Sequence, residues 1–365
     1  MDLSYAATGV DSEGMETSLQ ALGKLVTETF SYNAAKPLLP LGYFANVLQI
    51  SPELGLAIST DGVGTKILIA QALDKYDTVG IDCVAMNAND ILCVGARPVS
   101  MVDYIAVQRA EPRLLGDLAK GLCAGARQAS INIPGGEIAQ VREMLHGSRD
   151  GYGFDLVGTC VGTVHPKRIL IGQHVEPGDL VVGLASSGLH SNGFTLARSA
   201  LFEAGQLRVD DRPPELSRSI GEELLEPTRI YVEPILRMLD AGLRIKACIH
   251  VTGDGLFNLT RIAANAGFVI EAMPETPPIF ALIQRLGRIE SAEMMRVFNM
   301  GIGFCVVVEP ADAGRVRSMA SESGHRASVI GYAVADAQRR IWLPQHELVG
   351  AGKTFHPADT PPPRA

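Results

Sequence analysis

The run Leu56-Ala-Ile-Ser-Thr-Asp61-Gly62-Val63-Gly64-Thr65-Lys66 constrains this chain more than any other stretch. A buried-strand pattern ends in a carboxylate, two glycines let a backbone come close to a ligand, and a lysine follows at once. More carboxylates and amides come soon after, at Asp82, Asn87, Asn89, Asp90 and Asp103. Such a grouping suits Mg²⁺ and a polyphosphate. The spacing also excludes the commonest nucleotide loops. Walker A needs four residues between its first glycine and Gly-Lys-Ser/Thr, a dinucleotide fingerprint needs G-x-G-x-x-G, and neither occurs here.

With 365 residues, 47% of them hydrophobic and 20% charged, the chain can bury a large core, and two domains are the natural expectation. A net charge of −8 and the absence of any basic run argue against a general nucleic-acid surface. A phosphorylated ligand would therefore need local neutralisation by a metal or a few basic groups. The six cysteines, Cys83, Cys93, Cys123, Cys160, Cys248 and Cys305, lie scattered in apolar surroundings without a C-x-x-C pair. They read as reduced core residues, which favours the cytoplasm. Met1 to Tyr5 lacks the basic start and apolar block of a signal peptide, and no apolar run approaches the roughly 18 residues of a membrane span. A soluble protein is expected.

Along the chain, Met15, Leu19, Leu22, Val26 and Phe30 recur at helical spacing before the Pro37 to Pro40 break. Residues 57 to 60 and 100 to 107 read as strands, and Leu114, Leu118, Leu122 and Ala126 mark a helix. Residues 154 to 164 read as a longer strand, with kinks expected at Gly158 and Gly162. His165 to Asp179 reads as a domain junction. A buried strand at 180 to 185 then runs into Ser186-Ser187-Gly188-Leu-His190-Ser191-Asn192-Gly193 and a helix from about Phe194 to Ala204. With Ser191 or Asn192 as cap, the free N–H groups of that helix are placed to hold an anion. A second such turn, His250 to Gly255, precedes an amphipathic helix carrying Leu256, Leu259 and Ile262. A strand is expected over Phe304 to Val308, and the Pro-rich end reads as disordered.

Nine segments, taken together in this order, resemble the aminoimidazole ribonucleotide synthetase family, the phosphoribosylformylglycinamidine cyclo-ligases of the purine pathway. They are Tyr5 to Asp11, Asp61 to Lys66, Asp77 to Asp82, Met86 to Asp90, Gly135-Gly136-Glu137, Ser186 to Gly193, Leu225 to Tyr231, His250 to Gly255 and Phe298 to Gly303. The resemblance implies an α/β (α+β) chain of two mixed α/β domains, residues 1–165 and 166–345, with 346–365 as a disordered tail. It implies a homodimer in which paired N-terminal domains complete a β-barrel. The family converts formylglycinamidine ribonucleotide and ATP to aminoimidazole ribonucleotide, ADP and phosphate. ATP phosphorylates an inert amide oxygen, and the amidine nitrogen of the same molecule then closes a ring, a step favoured by intramolecular positioning. No nucleic-acid or membrane partner is implied.

Phosphoryl transfer needs charge neutralised more than it needs a protein nucleophile. The resemblance therefore assigns Asp61 and Asp90, with Glu137 added, to Mg²⁺. Lys66 would neutralise phosphate oxygens, and Gly62, Gly64 and Thr65 would bring backbone N–H groups to them. Ser187, Gly188, Ser191, Asn192 and Gly193 would hold a phosphate or the substrate. His190 is the first acid–base candidate and His250 the second.

Each residue also has a structural reading. Asp82 and Asp103, placed in or after apolar strands, serve equally well as backbone partners. His190 can be a solvated loop residue, His250 a core histidine, and Asn299 a turn organiser. Arg229 can pair with Glu226 or meet the substrate phosphate. The chain departs from the usual family pattern at Ile138 and Gln140, after Gly-Gly-Glu, and at Asp254, where a glycine is usual. If position 254 requires positive φ, an aspartate tolerates it better than most residues but adds negative charge. The competing readings are another small-molecule kinase or synthetase of the same superfamily and a non-catalytic nucleotide-binding homologue.

Overall fold

The computed structural model describes residues 3–9 and 12–363. Met1, Asp2, Val10, Asp11, Arg364 and Ala365 lie outside the described residues, so only part of the Tyr5 to Asp11 segment can be placed.

The first half opens with α1 (Ser12–Glu28) and then builds a sheet from β1 (Asn46–Gln49) and β2 (Gly55–Gly62). Next come α2 (Ile67–Leu73), α3 (Val79–Cys93), β3 (Arg97–Val107), α4 (Pro112–Ala129), β4 (Gly136–Gln140) and β5 (Phe154–Val164). The strands lie in the order β1-β2-β5-β3-β4, antiparallel except for β3 with β4. Along β5 buried and half-buried residues alternate, the signature of a sheet with one face on the core. The core face rests on α3. On the other face Val102 and Tyr104 stay 45% and 41% exposed.

The second half contains β6 (Leu180–Ala185), α5 (Phe194–Arg198), α6 (Ile220–Leu224), α7 (Val232–Asp240), β7 (Ile245–His250) and β8 (Ala266–Ile270). It continues with α8 (Pro278–Gly287), α9 (Ser291–Val297), β9 (Ile302–Val308), α10 (Ala313–Glu322), β10 (Ala327–Ala335) and β11 (Ile341–Leu343). A last hairpin, β12 (Leu348–Ala351) and β13 (Thr354–Pro357), completes an eight-stranded sheet ordered β13-β12-β11-β8-β10-β6-β9-β7. Every residue of β9 is buried, as expected for a central strand covered on both faces. One large core runs through both halves, and α3 packs against β7.

Several expectations need correction. Asp82 lies on a helix, α3, and not in a strand; that helix is buried nearly all round, so its sequence lost the amphipathic period that identifies a surface helix. Strand β5 shows no bulge against β2 at the expected kinks. It pairs with β2 without a register break, and Gly158 is there because a Cβ would come within 2.8 Å of Asn87 Nδ2 and 2.9 Å of Met101 Sδ. The expected helix after Gly255 is a 3-10 segment, Gly255–Thr260. The helix from Phe194 does reach Ala204, but as five α-helical residues followed by a π-helical turn, Ser199–Ala204. The α1 stripe exists, yet Met15, Leu19, Leu22 and Val26 are exposed and outside the core. Residues 346 to 357 are not a free tail, because β12 pairs with β11 and Phe355 packs tilted against Phe257 with ring centroids 4.4 Å apart.

Candidate active site

Strand β2 delivers Asp61 to the place where α3 meets β7. One carboxylate oxygen of Asp61 accepts its neighbour's Gly62 N–H at 2.7 Å, and its carbonyl accepts from Asn87 Nδ2 at 3.1 Å. Burial first, and the Asp90 carboxylate second, push Asp61 up to about 6. A like charge nearby in a half-dry site raises the cost of ionising Asp61. Asp90, on α3 and 13% exposed at its side chain, is held by His250 Nδ1 at 2.8 Å.

Asn89 fixes the tautomer of that histidine. Its Oδ1 accepts the Tyr231 N–H at 2.9 Å, so its amide N–H groups face the Arg229 carbonyl, at 2.9 Å, and His250 Nε2, at 3.4 Å. The Nε2 atom then accepts and Nδ1 donates to Asp90. His250 orients a carboxylate; its proton does not point at open space.

The other expected members of the metal group are not joined to this pair. Glu137 stands on the edge strand β4 in register with Tyr104, on the face opposite Asp103. Asp103 shares a cross-strand row with Gly158 and Asp61, and burial raises its carboxyl above the ordinary range. Among the described residues no group of three or more His, Cys, Asp or Glu side chains is placed to hold a metal.

Lys66 is turned inward. The 3-10 turn Gly64–Lys66 carries its side chain out of solvent, where Nζ donates to Asp82 Oδ1 at 2.9 Å, the His190 carbonyl at 3.0 Å and the Glu226 carbonyl at 2.6 Å. All three ammonium protons are engaged, so the expected contact between Lys66 and phosphate is not available in this arrangement. Burial pulls Lys66 below the ordinary lysine range, and Asp82 counters only part of that. Asp82 Oδ1 also accepts from Thr228 N and Oγ1, both at 2.7 Å, and from Ser191 Oγ at 3.1 Å. This node ties the first half to the 226–228 turn and to the Ser186–Gly193 loop.

The expected donors of that loop are largely committed to the protein. Ser187 donates its hydroxyl to the Pro227 carbonyl and its N–H to His190 Nε2, while Ser191 is bound to Asp82. Asn299 clasps the Gly188 and Leu189 carbonyls, which settles it as an organiser of the turn. His190 is 1% exposed, sits at φ 63°, and has its proton on a buried Nδ1 without a partner. Burial drives it well below the ordinary histidine range, helped by His250, Lys66 and Arg229. It is neither a solvated loop residue nor open to a substrate. Gly193, not Ser191 or Asn192, caps α5, and no side chain bonds to that end.

What stays open is smaller. Gly64, at φ +69°, has no heavy atom within 4 Å of where a Cβ would sit. Beside it the exposed Thr65 hydroxyl meets Thr195 Oγ1 at 3.4 Å. Thr195 escaped the sequence reading because only the fold brings the start of α5 to the Gly64 turn. The unusual Asp254 has φ −94°, the positive φ of +54° falling on Gly255, and Arg261 pairs with its carboxylate at 2.5 Å. Its added charge is therefore answered locally. Ile138 and Gln140 lie exposed on the edge strand β4.

Comparison with known proteins agrees with this architecture. Residues 42–164 match the N-terminal domain, and residues 176–343 the C-terminal domain, of AIR synthase related proteins. The phosphoribosylformylglycinamidine cyclo-ligase of Methanothermobacter thermautotrophicus is 42% identical over 323 residues, 88% of this chain and 93% of its own. That of Pyrococcus furiosus is 44% identical over 312 residues, 85% of this chain and 89% of its own. Among solved structures, thiamine-monophosphate kinase from Stenotrophomonas maltophilia superposes with a TM-score of 0.59 at 21% identity, covering 89% of this chain and 95% of its own. Thermotoga maritima PurL complexed with ATP gives 0.56 at 14%, covering 92% of this chain and 51% of its own. These two share the fold. By its sequence this chain belongs to the phosphoribosylformylglycinamidine cyclo-ligase family.

Proposed function

We propose that this protein closes the imidazole ring of its substrate, turning formylglycinamidine ribonucleotide and ATP into aminoimidazole ribonucleotide, ADP and phosphate. The observation that carries the chemistry is the Asp61–Asp90 pair. Burial, with the Asp90 charge adding to it, raises Asp61 to about 6, and a cation at these two carboxylates would offset both effects. The pair fits Mg²⁺, which commonly takes one or two carboxylates and completes its shell with water and phosphate oxygens. When bound there, Mg²⁺ would neutralise the charge that develops on the transferred phosphoryl group.

The chain's own residues supply position. His250 holds Asp90 at a fixed angle from behind, and Asn89 holds His250. The open Gly64 turn, with the Thr65 and Thr195 hydroxyls, is the place for phosphate oxygens. Lys66 and Asp82 set the approach of the two halves without touching either substrate. Ring closure then follows from holding the amidine nitrogen near the activated carbon.

The halves 1–165 and 166–345 act as two domains in this reading, with the reaction between them. The bare face of the first sheet, bearing Val102 and Tyr104, suits a second copy of the chain, which would complete the barrel and make a homodimer. The enzyme would work in the cytoplasm; among the described residues no helix is long and apolar enough to cross a membrane.

The test supplies purified protein with Mg-ATP and formylglycinamidine ribonucleotide and follows ADP and aminoimidazole together. Equal amounts of both are expected. ADP without imidazole would point to a different acceptor, and neither product, despite nucleotide binding, would mark a non-catalytic homologue.

A further inference from the structure

The basic groups near the site differ in what they hold. Lys66 has its three protons engaged. Arg218 reaches Glu223 at 2.6 Å and Glu226 at 2.5 Å, Arg261 holds Asp254, and Arg296 holds Glu293. Among the described residues, none forms a hydrogen bond or ion pair with the Arg229 side chain. Its Nε is buried without a hydrogen-bond partner, and the carboxylate that sequence proximity offered it, Glu226, is taken by Arg218.

The surroundings of Arg229 favour an anion. Its field falls on His190, His325 and Tyr231, and the two imidazoles are held below the ordinary histidine range by burial, with Arg229 adding to the effect. Both histidines keep a buried Nδ1 without a partner. The His325 ring lies 5.3 Å from Tyr231, whose hydroxyl is tied to the Ala185 carbonyl at the end of β6. Asn89 clamps the Arg229 carbonyl and the Tyr231 N–H from α3, one residue before Asp90. An arginine whose buried Nε has no partner therefore rises from a backbone held by the residue next to Asp90.

We infer that Arg229 is the docking group for the phosphate monoester of the ribonucleotide substrate, with His325 beside it. This rests on the cyclo-ligase reading for the identity of the substrate. A phosphate monoester matches the planar fork of a guanidinium. The nucleotide has less need of it, because its phosphates meet Mg²⁺ at Asp61 and Asp90 in that reading.

The experiment uses the full chain and two variants, Arg229→Gln and Arg229→Lys. Binding of ribose 5-phosphate and of Mg-ATP is measured by calorimetry, and KM and kcat are measured with the phosphorylated substrate. Arg229→Gln should weaken ribose 5-phosphate and raise the substrate KM roughly 10- to 100-fold, leaving Mg-ATP binding unchanged. Arg229→Lys, which keeps the charge and loses the fork, should fall between the two. The inference is overturned if wild type does not bind ribose 5-phosphate, if Arg229→Gln binds it as wild type does, or if both ligands weaken alike. Should Arg229→Gln not fold, an unaltered ribose 5-phosphate affinity in Arg229→Lys would also overturn it. Failure of the cyclo-ligase reading looks different: wild type would make no imidazole, while the ribose 5-phosphate arm would still decide the fate of Arg229.

Discussion

Two charged centres sit a few residues apart on α3 and are built on opposite terms. At Asp82 the carboxylate is fully buried, and one oxygen takes four hydrogen bonds, including one from a buried ammonium. At Asp90 the carboxylate is partly exposed, is held by one histidine, and faces another carboxylate. The first centre spends its charge on the protein's own donors, whereas the second is the one that would take a cation in the proposed reading. The difference teaches that a short motif can carry both the joint that sets the geometry and the site that uses it.

Four variants or conditions can break that contrast. The largest effect should come from Lys66→Met, which leaves Asp82 as a buried charge without its partner. A loss of about 3–5 kcal/mol in urea unfolding is expected. The double variant Lys66→Met/Asp82→Asn should recover much of that loss, and a single variant as stable as wild type would deny that Lys66 is a structural joint.

Asp61→Asn should leave the fold intact and lower turnover by about 100- to 1000-fold, the scale of about 2.7–4 kcal/mol seen for lost electrostatic stabilisation. Near-normal activity would remove Asp61 from the site. A smaller effect concerns pH without metal. Because the folded-state Asp61 is raised to about 6, folding favours its protonated form. Its stabilising contribution is present below about 4 and is lost as pH rises through about 6, on the order of 2–3 kcal/mol. Melting curves of the metal-free protein should show this decline, and Asp61→Asn should flatten it. An identical slope in the variant would assign the decline to other groups.

The smallest change belongs to Asp254→Gly. Since φ at 254 is negative and Arg261 answers the charge, restoring the usual glycine should cost at most about 1 kcal/mol and leave turnover nearly untouched. A gain of tenfold or more in kcat/KM would show that this departure tunes the site.

Much of the fold was legible, for physical reasons that also explain the misses. The alternation of β5 and the continuous apolar run of β6 announced their strands, because one is covered on one face and the other on both. Helix α3 was not read as a helix, since burial around nearly its whole circumference erases the period that marks one. Asp61 and Asp90 were picked out from residue types alone, and the Asp90 charge does act on Asp61. Glu137 was placed with them because its motif is acidic, but side chains alternate along a strand and its parity faces it away. Lys66 was misread because a single 3-10 turn decides whether the side chain enters the cleft or the core. The state of Arg229 depends on Arg218 reaching Glu226, a pairing that no local pattern announces.

The central claim is that Asp61 and Asp90 bring magnesium to the nucleotide's phosphates. Calorimetric titration of ATP into wild type and Asp90→Asn, each with and without Mg²⁺, tests it most directly. Magnesium should strengthen binding to wild type at least tenfold, on the order of 1.4 kcal/mol, and do little for the variant. Equal strengthening in both proteins would contradict the account.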